Sequence, residues 1–99
     1  MATVYLTVGE VGARANQGNV MVYLGDRVKS EIVTSSAASA QATFTANRGD
    51  VARVYCETPI YITSGPSPTA TATNGLFVPG GVPEFIALQA GHTVAVIDA

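Results

Sequence analysis

The stretch DVARVYCE, residues 50–57, places Ala52, Val54 and Cys56 on one side of an extended chain and Val51, Arg53, Tyr55 and Glu57 on the other. Successive side chains leave a pleated strand on opposite faces, so a period of two fits a strand with one face buried, whereas a helix needs a period near 3.6. The pattern recurs. Val4, Leu6 and Val8 oppose Tyr5 and Thr7 in ATVYLTVG, and Ile60 and Ile62 oppose Tyr61 and Thr63 in IYITS. PEFIAL and TVAVID are two further candidates, and the Gly-containing QAGH between them is expected to close a hairpin. Val20–Leu24 and Val28–Thr34 flank Gly25-Asp26 as a hairpin would, and Lys29 and Glu31 suit an edge strand with one wet face. Ala40–Thr45 is read as extended because of its Ser/Thr content and flanking strands, although the alanines of AASAQA favour helix.

Turn signals punctuate these runs. EVGARANQGN reads as an irregular loop, NRGD as a tight turn, and Thr58-Pro59 as a break, since proline donates no ladder hydrogen bond. About eight short strands and no convincing helix predict an all-β fold: one antiparallel sandwich or small barrel, the two not separable by pattern. At 99 residues the chain is read as a single domain, 1–99.

Surface chemistry is the next constraint. Only 12% of residues are charged, against roughly 25% in an average globular domain, while 47% are hydrophobic. So few charges cannot cover an ordinary surface, which implies that other copies or a large partner cover part of it. The cations Arg14, Arg27, Lys29, Arg48 and Arg53 are scattered and the net charge is −2, so nucleic acid is not expected as a ligand. No apolar run reaches the 18 residues of a membrane span and the first residues lack the pattern of a signal peptide, so no membrane partner and synthesis in a cytosol are expected.

The inventory for catalysis is thin. Cys56 is the single cysteine and His92 the single histidine, with no Ser/His/Asp order, no phosphate-cradling loop and no set of metal ligands at diagnostic spacing. The expectation is a protein that is not an enzyme and has no cofactor. Cys56 reads as a small core residue, His92 as a surface residue at a turn, and the seven carboxylates mostly as solvated charges. Arg48-Gly49-Asp50 matches a receptor-binding tripeptide, but Asn47 and Gly49 equally suit an ordinary turn. Tyr5, Tyr23, Tyr55 and Tyr61 would have to line one groove to serve a glycan, and tyrosine is also common in strands.

Ser64–Gly81, SGPSPTATATNGLFVPGG, carries no charge at all. Connections longer than about 12–15 residues are uncommon in compact domains. Asn74-Gly75 suggests a tight turn pairing TATAT with LFV in a short β excursion, and the prolines limit the entropy lost on ordering. The segment is expected to project from the core and make partner contacts through Pro66, Pro68, Leu76, Phe77, Val78 and Pro79; the rival expectation is that it folds onto its own core.

From about Gly49 to Asp98 the ordered pieces VARVYCETPIYITSG, read as a strand pair, then Pro68–Thr71, LFVPGGVPEFIAL and GHTVAVID resemble small virion proteins of tailed bacteriophages that decorate or cement capsids. The resemblance covers about half the chain and implies a β-rich domain, often trimeric, that binds the outside of an assembled shell and reinforces the major capsid protein. The expectation is therefore a homo-oligomeric virion protein on the capsid exterior. A head–tail adaptor, tail or fibre component and a glycan-binding module are the competing expectations.

Overall fold

The computed structural model describes residues 2–10 and 28–99. Among these lie eight strands and no helix: β1 (Thr3–Glu10), β2 (Lys29–Thr34), β3 (Ala40–Gln41), β4 (Asp50–Cys56), β5 (Ile60–Gly65), β6 (Leu76–Val78), β7 (Glu84–Ala87) and β8 (Thr93–Asp98). They form two four-stranded antiparallel sheets, β2-β1-β4-β7 and β3-β8-β5-β6, so the fold is a sandwich rather than a barrel. The expected run Val20–Leu24 and the Gly25-Asp26 turn lie outside the described residues.

Alternation decides which face each strand buries. Val4, Leu6 and Val8 of β1 sit opposite Val54, Ala52 and their neighbours of β4, and all face inward against Ile60, Ile62, Val78, Val94 and Val96 of the other sheet. These side chains are small to medium and mostly β-branched, which suits a pleated, half-buried surface. All five prolines fall outside the strands, where no ladder amide is lost.

Three connections depart from the sequence reading. QAGH does turn, with the His92 amide donating to the Gln89 carbonyl at 3.1 Å, but β7 and β8 belong to different sheets. It is an arch from one sheet to the other, held by Leu88 N–H to the Asp50 carbonyl (2.9 Å) and Gly91 N–H to the Ala46 carbonyl (2.9 Å). β4 and β5, read as a pair, are likewise split between sheets, because the Thr58-Pro59 break turns the chain through a corner. In the Ala40–Thr45 run only Ala40–Gln41 is strand. Beyond it the amides of Thr43 and Phe44 bond to the Glu31 carboxylate at 2.8–3.2 Å instead of a neighbouring backbone.

That last interaction also closes one side of the sandwich. β2 and β3 are the edge strands there, and Glu31 together with Lys29, whose Nζ donates to the Thr45 carbonyl at 3.2 Å, stitches the β2 edge to the chain leaving β3. The chain ends are fastened by one hydroxyl. Ser35 Oγ accepts the Ala2 amide at 2.8 Å and donates to the Asp98 carboxylate, while the Ser35 amide donates to the Ala2 carbonyl at 2.8 Å. The Ser35 hydroxyl holds the Asp98 carboxyl below its ordinary value, by bonding preferentially to the charged form.

Candidate interaction surfaces

The outer face of the sheet β2-β1-β4-β7 is built by the odd-numbered residues of β1 and β4, which the inward-facing apolar set leaves on the far side. Register then fixes their neighbours. Ile32, Tyr5 and Tyr55 form one row across three strands, and Ser30, Thr7, Arg53 and Phe85 form the next row across four. Ile32 is 63% exposed and Tyr5 and Phe85 nearly half so, an unusual placement for three large apolar side chains on a face this small. Tyr5 and Tyr55 meet with ring centroids 6.4 Å apart and planes tilted by 41°. Arg53, half-buried among them, has no side-chain partner among the described residues.

On the other sheet the outer face is buried over β8 and left partly open over β5 and β6. Residues 66–75 leave β5, cross towards Ser39 ahead of β3, and return to β6; on the way the Ala70 amide donates to Ser39 Oγ at 2.9 Å. Ala70 in this segment and Ala95 on the outward side of β8 are both buried. Asn74 organises the return: its side chain accepts from the Thr71 amide at 2.9 Å and donates to the Thr69 carbonyl at 3.0 Å, while its amide donates to Thr71 Oγ1. The expectation of a projecting excursion is corrected accordingly. TATAT forms no strand, because its amides and hydroxyls are spent on this local network, and LFV pairs instead with Ile60–Ile62 of β5.

The predicted contact residues separate along this path. Pro66, Leu76 and Phe77 are exposed and Pro68 and Pro79 are half-buried, but Val78 is 0% exposed, registered with Ile60 inside the chain's own core. Val78 is therefore removed from the contact set, since alternation sends it inward while Phe77 points out. Phe77 packs edge-on against Tyr61 with centroids 5.6 Å apart. Leu76 is the informative case. It registers with buried Ile62 on the core-facing side, yet 47% of it is exposed, because β6 is the last strand of its sheet and the core opens there.

β7 is the last strand of the opposite sheet, and residues 79–83 link it directly to β6. β2 contacts β3 at the other side of the sandwich, so β6 and β7 border a shared open side. It carries Leu76 and Val82, both nearly half-exposed, with Glu84 on the core-facing side of β7 opposite Val54, while Phe77 stays on the outer face beside Tyr61. Glu57 is exposed where β4 ends, its backbone against Gly80 of the link. The Glu84 side chain has no partner among the described residues.

The remaining candidates resolve simply. Asp50 is only 5% exposed, and its carboxylate accepts the Asn47 amide at 2.9 Å, so Arg48-Gly49-Asp50 is a turn that keeps its acid rather than displaying it. Asp50 is an exception to the expectation that most of the carboxylates are solvated, because the turn needs an acceptor. Cys56 is buried, and desolvation pushes its thiol up, away from the reactive thiolate. Tyr5 and Tyr55 share one sheet face and Tyr61 lies on the other sheet, so these three do not line one groove; Tyr23 lies outside the described residues. No group of three or more His, Cys, Asp or Glu that could hold a metal ion occurs among the described residues.

Sequence reasoning found Leu76 and Phe77 from their position in an uncharged segment. It missed Ile32, Phe85 and Glu84, each the wrong residue type for its face, a fault visible only once the sheet assignment of its strand is known, and Val82, exposed in the 79–83 link. Comparison of the chain with family models, with curated proteins and with solved structures yields no match.

Proposed function

We propose that the chain is a non-enzymatic structural protein of a tailed-bacteriophage virion, a decoration protein that assembles as a small homo-oligomer, a trimer by preference, and binds the outside of the capsid across neighbouring subunits of the major capsid protein. The observation that carries the reading is the set of large apolar side chains left exposed on a small, otherwise well-packed sandwich: Tyr5, Ile32, Leu76, Phe77, Val82 and Phe85. Such patches mark contact surfaces. Burying the remaining half of each is worth about 1 kcal/mol by area, so several together supply useful binding energy.

A decoration protein stabilises its shell by mass action, because it binds the assembled lattice and not dissociated subunits. Repetition on the lattice lets modest single contacts hold, since tethered subunits rebind at high effective concentration. The segment 66–75, rigidified by Asn74 and lying on the outside, is suited to reach a partner with its exposed threonines. The test is a copy count on purified virions of the phage that encodes the chain, with a reconstruction of the particle. Copies in proportion to the capsid subunit, placed on the shell exterior, support the reading. Absence from particles overturns it, and a single ring's worth of copies moves the chain to the neck or tail.

A further inference from the structure

We infer that the chain assembles head to tail into a small closed ring, the Arg53 face of one copy docking on the Glu84 edge of the next. The inference rests on the reading of the chain as a self-assembling structural protein, and names the two surfaces by which it assembles. The first surface is the outer face of the sheet β2-β1-β4-β7, apolar through Ile32, Tyr5 and Phe85 with the cation Arg53 at its centre. The second is the open side bordered by β6 and β7, apolar through Leu76 and Val82 with the carboxylate of Glu84. Neither charge has a side-chain partner among the described residues.

Three observations make a second copy the occupant. The two surfaces are complementary in charge and alike in apolar character, and an apolar contact crossed by one satisfied ion pair fixes register as well as affinity. A two-fold dimer through the Arg53 face alone would set cation against cation, so pairing of unlike surfaces is favoured. Lastly, the sides of the sandwich are treated differently. Glu31 and Lys29 close the β2 side by bonds to the chain after β3, whereas the β6/β7 side is closed by no such side-chain bond among the described residues and leaves Leu76, a core-facing residue, half-uncovered.

The position of the two surfaces sets the kind of assembly. Both meet along β7, which presents Phe85 to one and Glu84 to the other. A head-to-tail contact closes into a ring where the rotation per copy closes and otherwise runs on as a filament; surfaces that adjoin along one edge favour a large rotation, hence few members. Two standard interfaces of about 800 Å² per subunit fit within the 5601 Å² of accessible surface and leave the segment 66–75 free to face a shell.

The experiment is a charge swap on the purified full chain, read by sedimentation equilibrium and native mass spectrometry. Wild type is expected as a ring of three or four copies. Arg53→Glu and Glu84→Arg should each raise the concentration at which the ring dissociates by about tenfold or more, and the double variant should restore it. A monomer, a two-fold dimer, an open filament, a ring indifferent to both single changes, or a double variant no better than the singles would each overturn the inference. Should Glu84→Arg fail to fold, a cycle with Arg53→Gln and Glu84→Gln replaces it, and additive effects overturn the pairing. Failure here is separable from failure of the capsid reading: a ring absent from virions sinks only the latter, and a monomer bound to shells only the former.

Discussion

Among the glycines from Gly49 to Gly91, Gly80 is the one with least room for an added carbon. A Cβ built there would stand 2.2 Å from the Glu57 carbonyl oxygen, 2.8 Å from its carbon and 3.2 Å from Thr58 Cα. All three are backbone atoms of the corner between the sheets, so no side chain can swing aside, and relief needs a shift of about 1 Å to reach ordinary contact. Moving the link 79–83 outward breaks the bond from the Gly81 amide to the Cys56 carbonyl, now 2.8 Å. Overpacking strain of about 1–3 kcal/mol plus about 1 kcal/mol for the bond gives an expected loss of about 2–4 kcal/mol for Gly80→Ala. For a domain of this size that lowers the melting midpoint by about 10–25 °C. The control is its neighbour. Gly81 has φ +84° and nothing within 4 Å of an added Cβ, so Gly81→Ala carries only the left-handed backbone cost of about 1–2 kcal/mol. Urea unfolding of both variants, followed by tyrosine fluorescence, separates the two mechanisms. If Gly80→Ala proves no less stable than Gly81→Ala, the close packing of the link against the β4–β5 corner is wrong.

Ser35→Ala should cost about 1–3 kcal/mol, since it strips the buried Ala2 amide of its acceptor; urea titration at neutral pH measures it. The same hydroxyl lowers the Asp98 pKa, so this carboxylate adds stability above its unfolded pKa that is lost as pH falls through the folded value; the variant should show a shallower acid limb in stability against pH. Leu6→Ala, in the centre of the core, should cost about 2–5 kcal/mol, whereas Ile32→Ser on the outer face should change the stability of the isolated subunit by no more than about 0.5 kcal/mol. Equal losses in thermal unfolding at low protein concentration would show that Ile32 belongs to the core after all.

How far the sequence carries depends on whether a property is local. Alternation gave the inward sets of β1, β4 and β5 without error, because the pleat converts parity directly into face. Parity says nothing about which sheet a strand joins. Glu57–Pro59 and Leu88–His92 have the length and composition of hairpin turns yet carry the chain across the core, as Leu88 is drawn inward and the Thr58-Pro59 corner cannot continue a ladder. The candidate surfaces were half-legible for the same reason. Phe77 lies in an uncharged segment that invites attention, while Phe85 and Ile32 look like core residues until register sets them beside Arg53 and Tyr5 on an outer face. Glu31 shows a further limit: a charge that reads as a wet edge is in fact the acceptor that ends the next strand.

The junction at Ser35 has a consequence for engineering. One hydroxyl touches both Ala2 and Asp98, so the first and last strands, though in different sheets, begin and finish at the same spot on the molecule. A short glycine-serine bridge between these points would re-join the chain without stretching it, and new ends opened at the Arg48-Gly49 turn would give a permuted domain with the same two sheets. A peptide joined beyond Asp98 would emerge close to the 79–83 link, since the Ala99 amide donates to the Pro59 carbonyl at 3.2 Å in the corner on which Gly80 packs, so cargo meant to stay clear of that side belongs at the ends opened by Arg48-Gly49, at the other pole.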